Sequence, residues 1–539
     1  MYGSITLENR FGVNKMELIS LKYAIFVIVL LVLYYCFPKK YRWYVLLAGS
    51  MAYYVIICKW YVLFIIFTIC TTYGSTIWID KLLKKQNAVV KSHKEDWDRQ
   101  TRKEYKEKGR KKRVAVMLFA LLCNFGILAF LKYIPYAGEL GLLLPLGISF
   151  YTFQSMGYVM DVYREIVEPE KNFFKVALFV SFFPQIIQGP IAIYDKLAGQ
   201  LYEGHSLRLE NLQKGALLVL WGVMKKLVIA DRAVNIINFV MDKPMDFSGT
   251  YVFFAAVVYA LQLYADFSGG IDIVRGIAEM FGITMSTNFN HPYFSRSLTE
   301  YWHRWHMTLG DWCRNYIFYP LSISKRFLNF GKWLKPRFGA HISKVLPGCI
   351  ASVITFIVIG VWHGANMKYL YFGLWNGIVI MLAELFAPVN KKVAGGFFKL
   401  TGLREKGIFA TIVSVLWTFM LILVGYYFDI AANASTAFHM LFKSVTDFHI
   451  SELGINNIIL NLGACGLDEY DIFLLIICTL LWFFISFVEE NKKLDMRDFI
   501  LSRKLPLRWA IIYLGIFIVI IFGYYGPGVN PADFVYMQF

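Results

Sequence analysis

Residues 18–37, LISLKYAIFVIVLLVLYYCF, form the first long apolar run of the chain. A helix of about 20 such residues is long enough to cross the hydrocarbon core of a bilayer. No short charged segment with a small-residue cleavage site accompanies the run, so it differs from a secretory signal. We therefore interpret residues 18–37 as an uncleaved membrane anchor.

Similar apolar runs recur along the whole chain and predict an all-α polytopic membrane protein with about 11–13 membrane helices. Several runs contain Gly, Pro or Gln, which indicates broken or re-entrant helices that line a cavity. The later runs cover residues 43–58, 60–79, 114–133, 141–163, 173–192, 214–230, 250–267, 346–363, 367–387, 408–428, 471–488 and 507–525.

The composition excludes a soluble protein of the same length. Of the 539 residues 58% are hydrophobic and 17% are charged, whereas a soluble chain carries about a quarter of charged residues. The eight cysteines are scattered singly, which predicts neither a disulfide framework nor a zinc site. The apolar excess must therefore face lipid.

The charge is nevertheless strongly positive, at +18, and half of it lies in one segment. Residues 81–113 hold fourteen Lys or Arg against five Asp or Glu. Basic loops stay on the cytoplasmic side of a membrane, so this loop is predicted to be cytoplasmic and the N-terminus outside. Contact with anionic lipid explains the charge without nucleic-acid binding.

One histidine lies between two apolar runs, in VIGVWHGANMKYLYFGLW at residues 358–375. Basic segments at 325–344 and 391–406 flank these runs, which predicts a hairpin that enters from the cytoplasm and has His363 at its tip. Ionisable side chains at membrane depth often mark reaction sites or ion paths, and a neutral imidazole can act as a general base. The alternative is a structural histidine bonded to Asn366 or to a carbonyl.

Two more histidines stand in TEYWHRWHMTLGDWCRNYIFYPL at residues 299–321. Their spacing of three places His303 and His306 on one face if the segment is a single helix. Too few carboxylates are nearby for a metal site, so no metal is predicted. The open alternatives are an amphipathic helix at the headgroup level and a substrate site with His306 turned inward.

A carboxylate ends another apolar span, in YADFSGG at residues 264–270. We predict that Asp266 binds or orients substrate. The alternatives are a bend with a satisfied carboxylate and an ion site.

Six blocks follow one another in order along the chain. They are LPLGISFYTFQSMGYVMDVYR (144–164), FPQIIQGPI (183–191), GVMKKLVIADR (222–232), YADFSGGIDIVRGIAEMFGI (264–283), NFNHPYFSRSLTEYWHRWHMTLGDWCRNYIFYPL (288–321) and GVWHGAN (360–366). Together they resemble the membrane-bound O-acyltransferase (MBOAT) family, within its bacterial branch that modifies alginate and teichoic acid.

The resemblance implies a bowl of helices around a tunnel, with His363 catalytic at its narrow point and His306 as a second functional histidine. Trp305, Arg304 and Asn366 would bind or orient the substrate. The resemblance covers about residues 140–390. Together with the apolar runs it predicts one integral membrane domain over 1–539, with N-terminal spans at 18–133, the family core at 140–390, C-terminal spans at 391–525 and an extracytoplasmic tail at 526–539.

The chain departs from the family pattern at two positions. His303 stands where relatives often have arginine, and Asn376 stands where many carry a further histidine. The second departure puts a role for position 376 in doubt.

The chain ends in Phe534-x-Tyr536-x-x-Phe539, which resembles a short aromatic ending of this bacterial branch or of its small partner peptide. The resemblance implies that the tail folds back into the outer mouth of the bowl. Tyr536 could then carry the acyl group as an aryl ester. The alternative is an aromatic anchor at the membrane interface.

The main hypothesis is an O-acyltransferase that moves acetyl from a cytoplasmic thioester donor, acetyl-CoA or an acyl carrier, to an extracytoplasmic polysaccharide. It needs no bound cofactor and predicts an extracytoplasmic acyltransferase as partner. One alternative is D-alanyl transfer to teichoic acid. The other is a transporter or flippase for a lipid-linked sugar, since broken helices and intramembrane polar residues suit both classes.

Overall fold

The structure is a computed structural model, and it describes residues 16–134, 138, 140–142, 144–402, 404, 407–454, 457–459, 463–526 and 534. Within these residues the secondary structure is helical, without strands. The predicted all-α class is therefore confirmed.

Seven helical segments in the described residues are long and apolar enough to cross a membrane, and a bent pair of helices raises the number to eight. The protein is accordingly a multi-pass membrane protein. The seven are Lys39–Ser92, Arg99–Tyr133, Gly249–Met280, Lys325–His363, Ile408–Ile430, Glu469–Lys492 and Leu505–Phe522, and the bent pair is Met367–Leu385 with Ala387–Thr401.

The number is lower than the predicted 11–13 because several apolar runs do not form one long helix each. The run at 173–192 is divided into the helices Phe173–Ser181 and Phe183–Gln188, and Pro184 lies at the start of the second. The run at 18–37 forms the 16-residue helix Leu21–Cys36. Broken helices were predicted from the Gly and Pro content, and the structure confirms them here.

The chain divides into two compact units, one containing residues 1–219 and 273–286 and the other 220–272 and 287–539. In the first unit, a hairpin of Val62–Ser92 and Arg99–Tyr133 carries the basic segment 81–113. The helices of this unit are Leu21–Cys36, Arg42–Cys58, Val62–Ser92, Arg99–Tyr133, Ile148–Tyr163, Phe173–Ser181, Phe183–Gln188, Tyr194–Tyr202 and the larger part of Leu209–Met224.

The second unit contains both histidines of interest. Its helices are Asp231–Met241, the larger part of Gly249–Met280, Leu298–Arg304, Met307–Cys313, Tyr319–Ser322, Lys325–His363, Met367–Leu385, Ala387–Thr401, Ile408–Ile430, Ala434–Thr446, Glu469–Lys492, Met496–Leu501 and Leu505–Phe522. Two π-helical stretches, Lys225–Ala230 and Arg314–Phe318, interrupt the α-helical pattern. Such stretches are frequent at functional sites. The predicted domain boundaries and the bowl around a tunnel stay predictions.

Candidate active site

The predicted hairpin is present, and it places His363 at the end of a long helix. Lys325–His363 contains one break, at Gly339, whose φ of 79° is accessible mainly to glycine. Residues 364–366 connect it to Met367–Leu385. The two helices approach so closely that a Cβ atom on Gly360 would collide with the Tyr369 carbonyl, and one on Gly377 would lie 2.9 Å from the Val353 Cα. Backbone packing therefore fixes the position of His363.

The segment around His306 is not the single helix that would place His303 and His306 on one face. Leu298–Arg304 ends before Trp305, which is extended, and His306 has a left-handed backbone with φ 45°. A new helix starts at Met307. As a result His303 is exposed, whereas His306 is buried with 2% of its surface accessible.

Backbone pairing with residues 288–290 holds this interruption open. The Asn290 N–H donates to the Arg304 carbonyl at 3.0 Å, and the Met307 N–H donates to the Asn288 carbonyl at 2.9 Å. The polar groups that the helix break releases are thus satisfied. The break is a defined part of the fold, because it turns the His306 side chain inward.

The side chain of Asn288 fixes the ring of His306. Its Oδ1 accepts from the Thr308 N–H at 3.0 Å and from the Thr308 hydroxyl at 2.9 Å, and His306 Nδ1 donates to the same oxygen at 3.2 Å. In a neutral ring with its proton on Nδ1, the lone pair is on Nε2. Burial, together with the neighbouring His363, lowers the pKa of His306 to about 3. His306 is therefore neutral at physiological pH.

His306 and His363 line one cavity in the second unit, with an empty volume of about 540 Å³. Most of its wall is aromatic or aliphatic. The other lining residues are Leu263, Tyr301, Trp302, Trp305, Leu309, Phe372, Asn376, Ile422, Tyr426 and Asp429. Such a wall limits the access of water to a reactive group.

The polar groups of the cavity wall are joined in pairs. Trp302 Nε1 donates to Asn376 Oδ1 at 3.0 Å, and the hydroxyls of Tyr301 and Tyr426 lie 2.7 Å apart. Asp429 is the one carboxylate among the described lining residues. It accepts a hydrogen bond of 2.7 Å from the Tyr259 hydroxyl.

Trp305 lies in the cavity wall, as the prediction of a substrate contact requires, but Arg304 and Asn366 are not among the lining residues. Arg304 instead forms ion pairs with Glu300 at 2.7 Å and Glu490 at 3.0 Å. Asn366 caps Met367–Leu385 by accepting from the Lys368 N–H at 3.1 Å. Their predicted orienting roles are untested, and the contacts they make in the structure hold helices together.

Asp266 lies in a buried ionic cluster, which we call the Lys226 cluster and define as Lys226, Asp231 and Asp266. Lys226 Nζ lies 2.6 Å from Asp266 Oδ1 and 2.8 Å from Asp231 Oδ1. All three side chains are at most 3% exposed. The satisfied-carboxylate alternative describes this environment, while the predicted substrate contact stays a prediction.

Tyr536 lies outside the described residues. Phe534, two positions before it, is described and is 4% exposed. The Lys226 ammonium lies 4.5 Å from the centre of the Phe534 ring, a cation–π geometry.

The segment after the last helix also contacts the π-helical stretch. The Tyr524 N–H donates to the Leu227 carbonyl at 2.8 Å, and the Arg232 guanidinium lies 5.5 Å from the centre of the Tyr524 ring. The C-terminal segment is therefore attached to the Lys226 cluster and its helix.

Sequence reasoning missed Trp302, Tyr426 and Asp429 as cavity residues, and it doubted Asn376. Asp429 had a usable signal, because it is a carboxylate at the end of the apolar run 408–428. Acidic residues at membrane depth are rare and often functional. The tyrosine and tryptophan had no such signal, because aromatic residues make up 18% of the chain.

Comparison with known proteins adds the family. Residues 169–335 match the sequence profile of the membrane-bound O-acyltransferase family. This range contains His306, and His363 lies beyond it.

Among curated proteins, the chain is similar to enzymes that modify cell-surface polymers. It is 30% identical over 315 residues to a probable alginate O-acetylase AlgI of Pseudomonas syringae pv. tomato, covering 58% of this chain and 54% of the relative. It is 29% identical over 314 residues to a peptidoglycan O-acetyltransferase of Helicobacter pylori, and the match covers 51% of this chain and 56% of the relative. It is 26% identical over 288 residues to a teichoic acid D-alanyltransferase of Bacillus subtilis, and the match covers 52% of this chain and 67% of the relative.

The chain thus spans little more than half the length of the first two relatives. The profile match and these relatives agree with the resemblance in the six sequence blocks. Residues 169–335 are therefore similar to the membrane-bound O-acyltransferase family.

Proposed function

We propose that this protein is a membrane O-acyltransferase that transfers acetyl to hydroxyl groups of an extracytoplasmic polysaccharide. The observation that carries the proposal is the cavity lined by His306 and His363, part of whose wall lies in the range that matches an acyltransferase family. The relatives named as O-acetylases and O-acetyltransferases support acetyl as the group transferred.

In the proposed reaction His363 is the general base. It takes the proton of the acceptor hydroxyl while the acceptor oxygen forms a bond to the acyl carbonyl carbon. The C–S bond of a thioester donor breaks, and the thiolate leaves with the proton that His363 returns. The products are an O-acyl ester and a free thiol, so the reaction is balanced without a metal or nucleotide.

His306 supports this step as a neutral polar group. Its hydrogen bond to Asn288 favours the Nδ1-protonated ring and points a lone pair from Nε2. A neutral ring can accept a hydrogen bond from an acceptor hydroxyl, and its low pKa keeps it from taking the proton that His363 needs to receive.

We further propose that the donor reaches His363 from the cytoplasm and that the acceptor hydroxyl of this step is that of Tyr536. The resulting aryl ester then passes its acyl group to an extracytoplasmic transferase, and the Tyr536 hydroxyl is restored. The basic segment 81–113 supports a cytoplasmic position for the end of the hairpin that Val62–Ser92 and Arg99–Tyr133 form. The contact of Phe534 with Lys226 supports a tail that folds back, since Tyr536 follows two residues later.

The test is His363→Ala, with His439→Ala on the exposed side of Ala434–Thr446 as matched control. Loss of a general base lowers the rate by about 10²–10⁴-fold. Ester-linked acetate is released from the surface polysaccharide with alkali and quantified at equal expression. Unchanged acetate in His363→Ala contradicts the proposal.

D-alanyl transfer is the second candidate, because the chain covers 67% of a teichoic acid D-alanyltransferase. The same alkaline extract distinguishes the two, since it releases either acetate or D-alanine. Labelling of the purified protein by a radioactive acetyl thioester, and its loss in Tyr536→Phe, tests the relay. A flippase of lipid-linked sugars would neither be labelled nor change either ester.

A further inference from the structure

Asp429 differs in its partners from three other acidic residues of the second unit. The carboxylates of Asp231, Asp266 and Asp272 each lie within 2.8 Å of a lysine ammonium. Within the described residues, the Asp429 carboxylate forms no ion pair and accepts a hydrogen bond from the Tyr259 hydroxyl. Its nearest cation is the Lys368 ammonium, which interacts with it electrostatically. An ionisable group that lines a cavity is a candidate for binding or catalysis.

Asp429 is attached through its backbone to the helix that follows His363. It is the last but one residue of Ile408–Ile430 and lines the same cavity as His363. Lys368 Nζ donates to the backbone carbonyls of Asp429 and Ala431, both at 2.7 Å. The next residue, Tyr369, stacks on the His363 ring with centroids 6.0 Å apart. The end of Ile408–Ile430 is thus tied to the helix that contacts the His363 ring.

The proposed reaction places a positive charge in this cavity. When His363 takes the proton of the acceptor hydroxyl, its neutral ring becomes an imidazolium ion. Aromatic walls solvate that ion poorly, and a charge is expensive there without a counter-charge. The other lining histidine stays neutral, so it offers no compensation.

We infer that the Asp429 carboxylate stabilises the imidazolium ion that forms on His363, an inference that rests on the proposed function. Asp429 is then a positioning residue that acts through His363. The proton moves from the acceptor hydroxyl to His363 and from there to the leaving thiolate, and Asp429 neither gains nor loses it.

The other titratable groups around His363 come from four helices and from the helix break at His306. They are His306, the hydroxyls of Tyr301, Tyr369, Tyr426 and Tyr259, and the ammonium of Lys368. The lysine disfavours a charged His363, and the tyrosines are neutral at physiological pH. Asp429 is therefore the group among them that favours the imidazolium.

The test is Asp429→Asn, which keeps an oxygen that can accept from Tyr259 but removes the charge. Glu469→Gln, at the exposed start of Glu469–Lys492, is the matched control. The full-length protein in detergent is treated with diethyl pyrocarbonate, which modifies neutral imidazole, and modification of His363 is followed by mass spectrometry against pH. Removing a nearby opposite charge is expected to lower the midpoint by about one pH unit.

Acetyl transfer against pH gives the second readout. In Asp429→Asn the plateau of kcat falls about tenfold, and the acidic limb of the profile moves to lower pH. A merely structural Asp429 would change KM or stability without moving the limb. An unchanged midpoint of His363 modification overturns the inference, whatever the activity.

The two proposals fail separately. If His363→Ala retains full transfer, the proposed function is wrong, while the modification midpoint still reports whether Asp429 and His363 are coupled. If His363→Ala is inactive and Asp429→Asn behaves as Glu469→Gln does, the proposed function stands and this inference is wrong.

Discussion

The Lys226 cluster and the histidine cavity lie in the same unit and differ in what surrounds their ionisable groups. In the cluster, Lys226 and its two carboxylates are paired within 2.8 Å and at most 3% exposed. In the cavity, two histidines and Asp429 face a space of about 540 Å³. The charges of the cluster are satisfied by one another, whereas the groups of the cavity border a space that a substrate can enter.

The strongest test of this contrast breaks the paired cluster. Lys226→Met leaves Asp231 and Asp266 uncompensated, and loss of one member of a buried ion pair is expected to lower the free energy of unfolding by about 3–5 kcal/mol. Thermal unfolding of the purified protein in detergent measures it. Lys84→Met, which removes a partly exposed pair with Asp80, is the control, with an expected change of about 0–1 kcal/mol.

The cluster interpretation also predicts a rescue. Adding Asp231→Asn and Asp266→Asn to Lys226→Met removes the unpaired charges and should restore much of the lost stability. A single Lys226→Met variant as stable as the wild type would contradict a structural role for the cluster.

The second prediction concerns acid. Burial lowers the pKa of His306 to about 3 in the folded protein, whereas an unfolded histidine has a pKa of about 6.5. The unfolded state therefore binds the proton first, and stability is lost as the pH falls from about 6.5 towards 3, by roughly 3 kcal/mol at pH 4.

His306→Asn removes this titration and tolerates the left-handed backbone. Its stability, measured by denaturant unfolding between pH 7 and 4, should fall less than that of the wild type. His439→Asn is the control at an exposed position. Equal pH dependence of the two variants would show that folding does not lower the pKa of His306.

A smaller effect is expected from the neutral pair in the cavity wall. Asn376→Leu removes the acceptor of the Trp302 indole N–H, and an unsatisfied buried donor destabilises by about 1–3 kcal/mol. Asn376→His keeps an acceptor nitrogen and should lose less. Unfolding midpoints of the two variants decide this, and a leucine variant as stable as the histidine one would refute it.

The smallest effect is expected where the cluster meets the C-terminal segment. Phe534→Leu keeps an apolar side chain but removes the ring that Lys226 contacts, a loss of about 1–2 kcal/mol. The C-terminus should then be digested about fivefold or more faster by a carboxypeptidase. Phe534→Trp retains the cation–π contact and is the control. Equal digestion of the two variants would show that the contact does not hold the segment.

Much of the site could be predicted from the sequence where local chemistry is unusual. His363 between two apolar runs is such a case, and the structure places it at a hairpin end beside a cavity. His306 could be named as well, but its surroundings could not. The helix that appears continuous from 299 to 321 is interrupted because residues 288–290 pair with its backbone, and such distant pairing leaves no periodic signal.

The surroundings of Asp266 and Arg304 also could not be predicted from the sequence. The sequence predicts substrate contacts for Asp266 and Arg304. Their contacts in the structure are Lys226 for the first and two glutamates for the second. The sequence shows that a charge is present, but whether it has a counter-ion depends on residues that the fold brings from far along the chain.

The hairpin of Lys325–His363 and Met367–Leu385 has a consequence for protein engineering. Its backbones meet at Gly360, Gly373 and Gly377, where no room exists for a Cβ atom. The position of the His363 ring therefore depends on three residues that have no side chain and no chemistry of their own. A mutagenesis library aimed at a different acyl donor should vary the aromatic wall and keep these three glycines, since any larger residue there moves the histidine before it changes the pocket.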